Sequence, residues 1–479
     1  MTEVSADNPA VSESRANANT DRLKGSVIGA YVVPGVGVGY MGLLVGLYIM
    51  KFSTDVLLIA PAIMGTIFGA SRIWDAISDP IVGYLSDRTR SRLGRRRSWF
   101  LLSILPLAGM FIWVFSPPTE VTGSALVAWM AFGVIAFYSS MTLFLVPQMS
   151  LGAELTPNYH ERSRLFGFRY ATQQVGAILS LVGMYILIVA EKKSDAAQDM
   201  SFVRTTAFEL SVLASVVTAV LIGYAVFKLR ERADYQGRKI KHPLAAFKDV
   251  GKNPHARLII LVSFVENIGS AVIGLLTLYV AEYVVGRAAL APTIIFSYMI
   301  FSAISPPLWI PLSRRFGKIR LWMFSMMLTG VSFGAMFTLP FLSPDAKVYT
   351  IYILAMFAGL AAGCGGTIAP SIQSDIIDYD EYTTGERKEG SYFAAFTFVY
   401  KSATGVMAFI TGYVLQFSGY VPNQAEQSMT VQIAIMTLYS LFPLVCYTIG
   451  TIIFSRFSLD ETAHSKIREA LETRAIDGD

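Results

Sequence analysis

Apolar residues run along this chain in long blocks broken by short polar segments, and the blocks have the length of a membrane crossing. About 20 helical residues cross the ~30 Å hydrocarbon core of a bilayer. Blocks near that length lie at Ser26–Met50, Leu58–Leu85, Trp99–Phe115, Ser124–Val146, Phe166–Ala190 and Phe208–Phe227. A second set lies at Leu258–Tyr279, Pro292–Ile310, Leu321–Phe341, Val348–Ile368, Tyr392–Phe417 and Val431–Phe454. Backbone polar groups in lipid must be satisfied internally, which blocks of this length achieve only as helices. The pattern therefore predicts an all-α membrane protein of about twelve transmembrane helices. Met1–Asp21 is polar and lacks the basic start and apolar core of a signal peptide, so residues 1–25 read as a disordered cytoplasmic tail.

The polar segments set orientation. After the second block come Arg88, Arg90, Arg92, Arg95, Arg96 and Arg97. After the sixth come nine basic residues, from Lys228 to Arg257, and after the eighth Arg314, Arg315, Lys318 and Arg320. Ser116–Gly123 and Asn423–Met429, on the alternate side, carry none, with Lys192 and Lys193 a local exception. Basic residues mark the cytoplasmic side, so both termini are expected there, in an inner membrane. The long basic segment 229–257 divides the chain into two six-helix bundles, 26–228 and 258–455, followed by a cytoplasmic tail, 456–479.

Composition narrows the function classes. Hydrophobic residues make up 53% and charged residues 15% of the 479, against about 25% charged in a soluble domain. Mean hydropathy is +0.50. The net charge of +5 is spread over alternate segments instead of one patch, which argues against nucleic acid. Cys364 and Cys446 sit in apolar runs and all four histidines in polar ones, so neither a disulfide framework nor a histidine metal site is expected. No P-loop, GxSxG or HExxH pattern occurs, and no soluble signalling domain is visible, which leaves an enzyme or sensor without support.

The charges inside the blocks carry the chemistry. Asp75 and Asp79 are four apart, on one helix face, with Arg72 three before Asp75. Carboxylates at membrane depth are costly unless paired, wet or bound to a cation. They therefore read either as a site for Na⁺, Li⁺ or a proton, or as a structural network with Arg72. Lys401 lies mid-block and needs a partner, or else snorkels to the surface. Arg169 opens the fifth block as a solute-binding or a lipid-headgroup arginine. Glu266 is a charge inside the seventh block with no assigned role. Tyr31, Tyr40, Tyr48, Trp74, Tyr138, Gln148, Tyr170, Gln173, Gln174, Asn267 and Tyr400 supply aromatic and hydrogen-bonding groups for a central cavity.

Three stretches carry a family resemblance. The first is Arg72-Ile-Trp-Asp75-Ala-Ile-Ser-Asp79-Pro80-Ile-Val-Gly83 followed by Asp87-Arg-Thr-Arg-Ser-Arg-Leu-Gly94. The second is Pro147–Arg164, with Glu154-Leu-Thr and Glu161-Arg162-Ser; the third runs from Ser374-Asp375 through Glu389-Gly390 to Lys401. Together they resemble the glycoside–pentoside–hexuronide:cation symporters of the major facilitator superfamily, the melibiose-permease type. A shorter loop, Pro311–Lys318, mirrors the first in the second half.

The resemblance implies a major facilitator fold and a secondary transporter, not an enzyme. It implies alternating access with symport of a sugar, glycoside or sugar acid with Na⁺ or H⁺ and no other cofactor. Lipids are the remaining expected partner, and a monomer the working unit. It places the cation at Asp75, Asp79 and Thr142, with Lys401 and Arg72 as charge partners. Solute is expected at Arg169, Tyr40, Trp74, Gln148, Tyr170, Gln173 and Tyr400. The gating loop is Gly83, Asp87, Arg88, Gly94, Arg95 and Arg96, whose arginines latch helix ends, with Asp375–Arg387 as the matching loop of the second half. Two positions depart from the pattern. Gly39 and Leu145 stand where the melibiose type has carboxylates, which weakens galactoside recognition and removes an oxygen ligand. The more apolar cavity makes a lysophospholipid or other amphiphile the alternative cargo.

Overall fold

A computed structural model describes residues 23–155, 159–197, 199–231, 250–385, 389–422, 424, 426–459 and 461–477. Most of the N-terminal tail and of the central basic segment therefore lies outside the described residues. Helix accounts for 87% of the structure, and the described residues contain no strand. In the first half the helices are α1 (Gly25–Val32), α2 (Pro34–Lys51), α3 (Pro61–Arg88), α4 (Arg97–Phe115), α5 (Gly123–Leu155), α6 (Tyr159–Ala197) and α7 (Ser201–Lys228). The second half holds α8 (Pro254–Tyr279), α9 (Ala291–Ile304), α10 (Pro306–Phe316), α11 (Lys318–Ala335), α12 (Pro344–Thr384), α13 (Glu389–Phe417), α14 (Met429–Met436), α15 (Phe442–Phe454) and the terminal α16 (Glu461–Asp477).

Among the described residues ten helical segments are long and apolar enough to cross a membrane, and α9 with α10, bent by 41°, adds an eleventh if the bent pair is one span. The 28-residue α3 is about 42 Å long by its rise, so length qualifies it. Its Arg72, Asp75 and Asp79 are what keep it from passing on apolarity.

The helices outrun the apolar blocks. Thus α12 spans 41 residues, and Asp375–Thr384, expected as loop, is its final turns. Nothing in that stretch breaks a helix once it leaves the hydrocarbon. It ends at Gly385, whose positive φ of 72° is the left-handed stop that glycine adopts without strain. Residues 386–388, including Arg387, lie outside the described residues. The C-terminal segment contains α16, tied to α12 by His464 Nε2 at 3.0 Å from Asp378 Oδ2.

Three helix pairs join the halves: α3 with α13, α2 with α8, and α6 with α9. The first is a small-residue seam. A Cβ at Gly65 would lie 2.6 Å from the Ala408 carbonyl, and one at Gly405 would lie 2.9 Å from Arg72 Cβ. Such close backbone approach is how helices associate in lipid, where no hydrophobic force draws them together. Within the first half, α2 meets α6 even more closely. A Cβ at Gly39 would lie 2.1 Å from the Gln173 carbonyl oxygen, and one at Gly176 would lie 1.9 Å from that of Val36. The side chain lost at position 39 thus coincides with a helix crossing that admits none.

Gly39→Ala should destabilise the protein by about 1–3 kcal/mol, the usual cost of overpacking. Gly46→Ala, where a Cβ meets nothing within 4 Å, should leave stability unchanged. Thermal unfolding of the two purified variants makes the comparison.

Candidate cation and solute site

The helix α3 brings Asp75 and Asp79 to one face, and α5 lays Thr142 across them. Thr142 Oγ1 lies 2.8 Å from Asp75 Oδ1 and 2.9 Å from Asp79 Oδ1. From the opposite half, Lys401 on α13 reaches both carboxylates, with Nζ 2.8 Å from Asp75 Oδ2 and 2.5 Å from Asp79 Oδ2. Arg72 stands farther off, its Nη1 3.8 Å from Asp75 Oδ2 and its guanidinium 3.6 Å above the centre of the Tyr138 ring. Asp75 is buried, at 4% exposure, and Asp79 is partly buried.

The formal charges cancel: two carboxylates face one ammonium and one guanidinium. A cation added to this set would leave unbalanced positive charge in a low-dielectric setting. It can be accommodated only if Lys401 withdraws. One more feature suits a cation. Pro80 lies inside α3 and has no N–H, so the carbonyl of Ala76 is freed from its helical bond. That oxygen belongs to the same turn as both aspartates.

These groups line a cavity of about 1430 Å³ between the halves. The wall includes Arg72, Asp75, Asp79, Thr142, Arg169, Gln173, Gln174, Tyr400 and Lys401, and also apolar Met141, Leu145, Met149, Ile273, Ile295 and Met299. Of the residues expected to bind solute, Arg169, Gln173 and Tyr400 are on this wall. Tyr40, Trp74, Gln148 and Tyr170 are not among its lining residues. Trp74 Nε1 donates to Ser139 Oγ at 2.8 Å, and Tyr170 is 61% exposed with its hydroxyl 2.6 Å from Gln174 Nε2. Gln148 is committed to α1, donating to the Tyr31 carbonyl at 3.1 Å and accepting from the Tyr31 hydroxyl on its own carbonyl at 2.9 Å. Tyr40 packs against Gly183.

The arginine loop is held within the first half. Glu231 accepts the backbone N–H groups of Arg95, Arg96 and Arg97 at 2.7–2.8 Å, and Glu154 takes the side chains of Arg95 and Arg96 at 2.7 and 3.1 Å. Arg96 also donates to Ser86 Oγ at 2.6 Å. Gly94 has φ +112°, and a Cβ there would lie 2.5 Å from Glu231 Oε1, so glycine is needed twice over. Arg88 lies over the Tyr84 ring, and Gly83 lines the cavity. The side chain of Asp87 lies outside the described residues.

A second charge network, not foreseen from sequence, closes the opposite end. Lys51, 1% exposed, lies 2.8 Å from Asp55, 2.5 Å from Glu191 and 2.7 Å from Glu282. The three carboxylate oxygens gather within 4.8 Å, as metal ligands would, and the ammonium sits among them. Hydroxyls complete it across the halves. Tyr283 and Tyr420 donate to Asp55 at 3.0 and 2.5 Å, and Thr54 Oγ1 lies 2.9 Å from the Tyr279 hydroxyl. Asp55 and Glu282 sit in matching single π-turns, Phe52–Val56 after α2 and Val280–Val284 after α8, the equivalent helices of the two halves. Such one-residue bulges turn a side chain out of register and recur at functional sites. The signal available in sequence was four charges at block ends on the side where basic residues are scarce.

Comparison with known proteins identifies the family and the fold. The family described as MFS/sugar transport protein matches residues 30–461. The inner membrane symporter YicJ of Escherichia coli is 27% identical over 418 residues, 86% of each chain. The isoprimeverose transporter of Lactiplantibacillus pentosus is 27% identical, covering 87% of this chain and 85% of its own. A sodium-dependent lysophosphatidylcholine symporter of Danio rerio is 24% identical, covering 90% and 85%. Among solved structures the nucleoside transporter NupG superposes with TM-score 0.66 at 10% identity, covering 90% of this chain and all of its own. That likeness establishes the fold.

Lys51→Met should cost about 3–5 kcal/mol, because it leaves buried carboxylates without their cation. Adding Asp55→Asn and Glu191→Gln should restore much of the loss. Folded yield and thermal midpoint of the single and triple variants test this, and equal instability of the two would disprove the charge argument.

Proposed function

This chain belongs to the MFS/sugar transport protein family, and from that premise we propose that it is a cation-coupled symporter for a sugar, glycoside or sugar acid. It sits in the inner membrane with both termini in the cytoplasm and works as a monomer. The observation that carries the reading is Lys401, set between Asp75 and Asp79 on the wall of a cavity that separates the two halves. The ammonium occupies the place a coupling cation would take, and it comes from the half that must move.

Coupling then follows from charge balance. When Na⁺ or H⁺ enters, carboxylate charge is neutralised and Lys401 releases α3. Na⁺ would be held by Asp75, Asp79, Thr142 and the freed Ala76 carbonyl, all oxygen donors suited to a hard cation. Solute binds on the cavity wall, with Arg169 and Gln173 on α6 supplying hydrogen bonds. With both ligands bound, the halves rock and the Lys51 network opens, as duplicated bundles do around a fixed midplane site. Emptied of its cation, the site returns to the lysine-paired state. Cation and solute therefore raise each other's affinity, by linkage. The apolar share of the wall, including Leu145, favours one second reading, an amphiphile such as a lysophospholipid.

Uptake into proteoliposomes of sugars, sugar acids and lysophospholipids under imposed Na⁺ or H⁺ gradients identifies cargo and ion. Asp75→Asn and Asp79→Asn should each abolish gradient-driven accumulation, while at least one retains downhill flux or exchange. Concentrative uptake by the double variant would show both carboxylates to be structural. For orientation, cysteines placed at 88–97 should label only from the cytoplasmic side. Labelling from outside in intact cells would invert the topology.

A further inference from the structure

Glu266 lies about three turns inside α8, away from both charge networks, and neither uses it. It borders a second cavity of about 320 Å³, set among helices of the second half. Burial and the Trp322 side chain dominate its surroundings, and no lysine or arginine among the described residues pairs with it. A carboxylate inside a membrane protein with no basic side chain beside it remains a strong acceptor for hydroxyl donors of a ligand. Trp322 is 1% exposed and lines the same cavity beside Glu266. The indole N–H is directed at the Glu266 carboxylate, which can accept several hydrogen bonds and keeps acceptor capacity toward the cavity.

The surrounding chemistry defines that occupant. Asn267 spends its Nδ2 on the Ser263 carbonyl at 2.6 Å and keeps its amide oxygen free to accept. Gln373 adds a further amide, and Tyr298 an aromatic face. An acceptor, donors and ring faces in one small chamber match an uncharged polyhydroxylated ring. They do not match a carboxylate or phosphate, which Glu266 would repel, nor an alkyl chain, which would strand the polar atoms. Ser270 and Tyr298 also line the central cavity, so the two spaces adjoin. A solute can therefore extend from the aspartate–lysine site into this chamber.

We propose that the chamber around Glu266 and Trp322 is the specificity subsite for a neutral sugar ring of the transported solute. This rests on the symporter reading above and narrows it. The second half, not the first, would read the hydroxyl pattern. The loss of a side chain at Gly39 fits, since that half has no room there for a reading carboxylate.

The test uses wild-type protein in liposomes with labelled glucose, xylose, isoprimeverose, glucuronate and lysophosphatidylcholine as probes. Wild type should carry one of the neutral sugars. Glu266→Gln and Trp322→Phe should each raise its half-saturation concentration about tenfold, the weight of one hydrogen bond to a charged or buried partner. The ion dependence should not change. Gly366→Leu is an independent arm: Gly366 lines the chamber, and a Cβ there meets nothing within 4 Å, so the side chain would fill it without touching Glu266's own helix. It should block the neutral sugar while protein abundance is kept. Unaltered half-saturation in all three variants would overturn the proposal. So would gradient-driven uptake of glucuronate or lysophosphatidylcholine alone, which leaves symport intact. Uptake of every probe that is indifferent to both gradients would instead sink the symporter reading itself.

Discussion

A lysine ammonium held among carboxylates in a low-dielectric interior is the constraint on which this structure turns, and it occurs twice. Desolvating such charges is expensive, and only close opposite charge with completed hydrogen bonds makes it tolerable. Lys401 meets that demand midway along α3, and Lys51 meets it at the end of α2. Both networks cross between the halves. Lys401 reaches from α13 to Asp75 and Asp79, and Lys51 reaches from α2 to Glu282. Each therefore fastens one half to the other only while its charges remain as they are.

The two differ in what can relieve them. At Asp75 and Asp79 the charges balance and the site opens onto the central cavity, and in the proposed cycle a cation from solution replaces the lysine there. Around Lys51 the ammonium is fully enclosed, with tyrosine hydroxyls from Tyr283 and Tyr420 over Asp55. The network's contacts with Glu282, Tyr283 and Tyr420 part only when the halves do, while those of Lys51 with Asp55 and Glu191 stay within the first half. Placed some 42 Å of helix from the arginine loop along α3, the network is the closure at one mouth in the proposed cycle, in which the aspartate pair is the trigger. The glycine seams make the arrangement mechanically workable. Backbones at Gly65 and Gly412, or Gly39 and Gln173, touch directly and leave little slack. A change at the trigger is transmitted as movement of whole helices.

Much of this was legible in the sequence. Charges such as Asp75, Asp79 and Lys401 stand out against apolar runs, and the run lengths alone delimit most of the spans. The family matched over 30–461 agrees with the resemblance carried by those same motifs. The Lys51 network was not legible, for a definite reason. The apolar blocks end at Met50 and Ala190, one residue before Lys51 and Glu191, so both charges looked like interfacial residues. Helix continues past each of them, and the π-turn that aims Asp55 inward has no sequence signature. Likewise Asp375–Thr384 looked like loop because it is polar, yet a polar sequence with no breaker extends a helix into water. Tyr40 and Gln148 have the right chemistry for a solute, but helix-to-helix contacts claim them, and nothing in spacing alone separates those uses.

The central claim is that the coupling cation and Lys401 compete for the same two carboxylates. Labelling of Lys401 by a small membrane-permeant amine reagent, read by mass spectrometry on purified protein with and without the cation, tests it most directly. The account predicts that the cation raises the labelling of Lys401, and that Asp75→Asn with Asp79→Asn gives high labelling whether or not the cation is present. Labelling that stays low in wild type when the cation is bound would show that the lysine never leaves, and would contradict the exchange on which coupling depends.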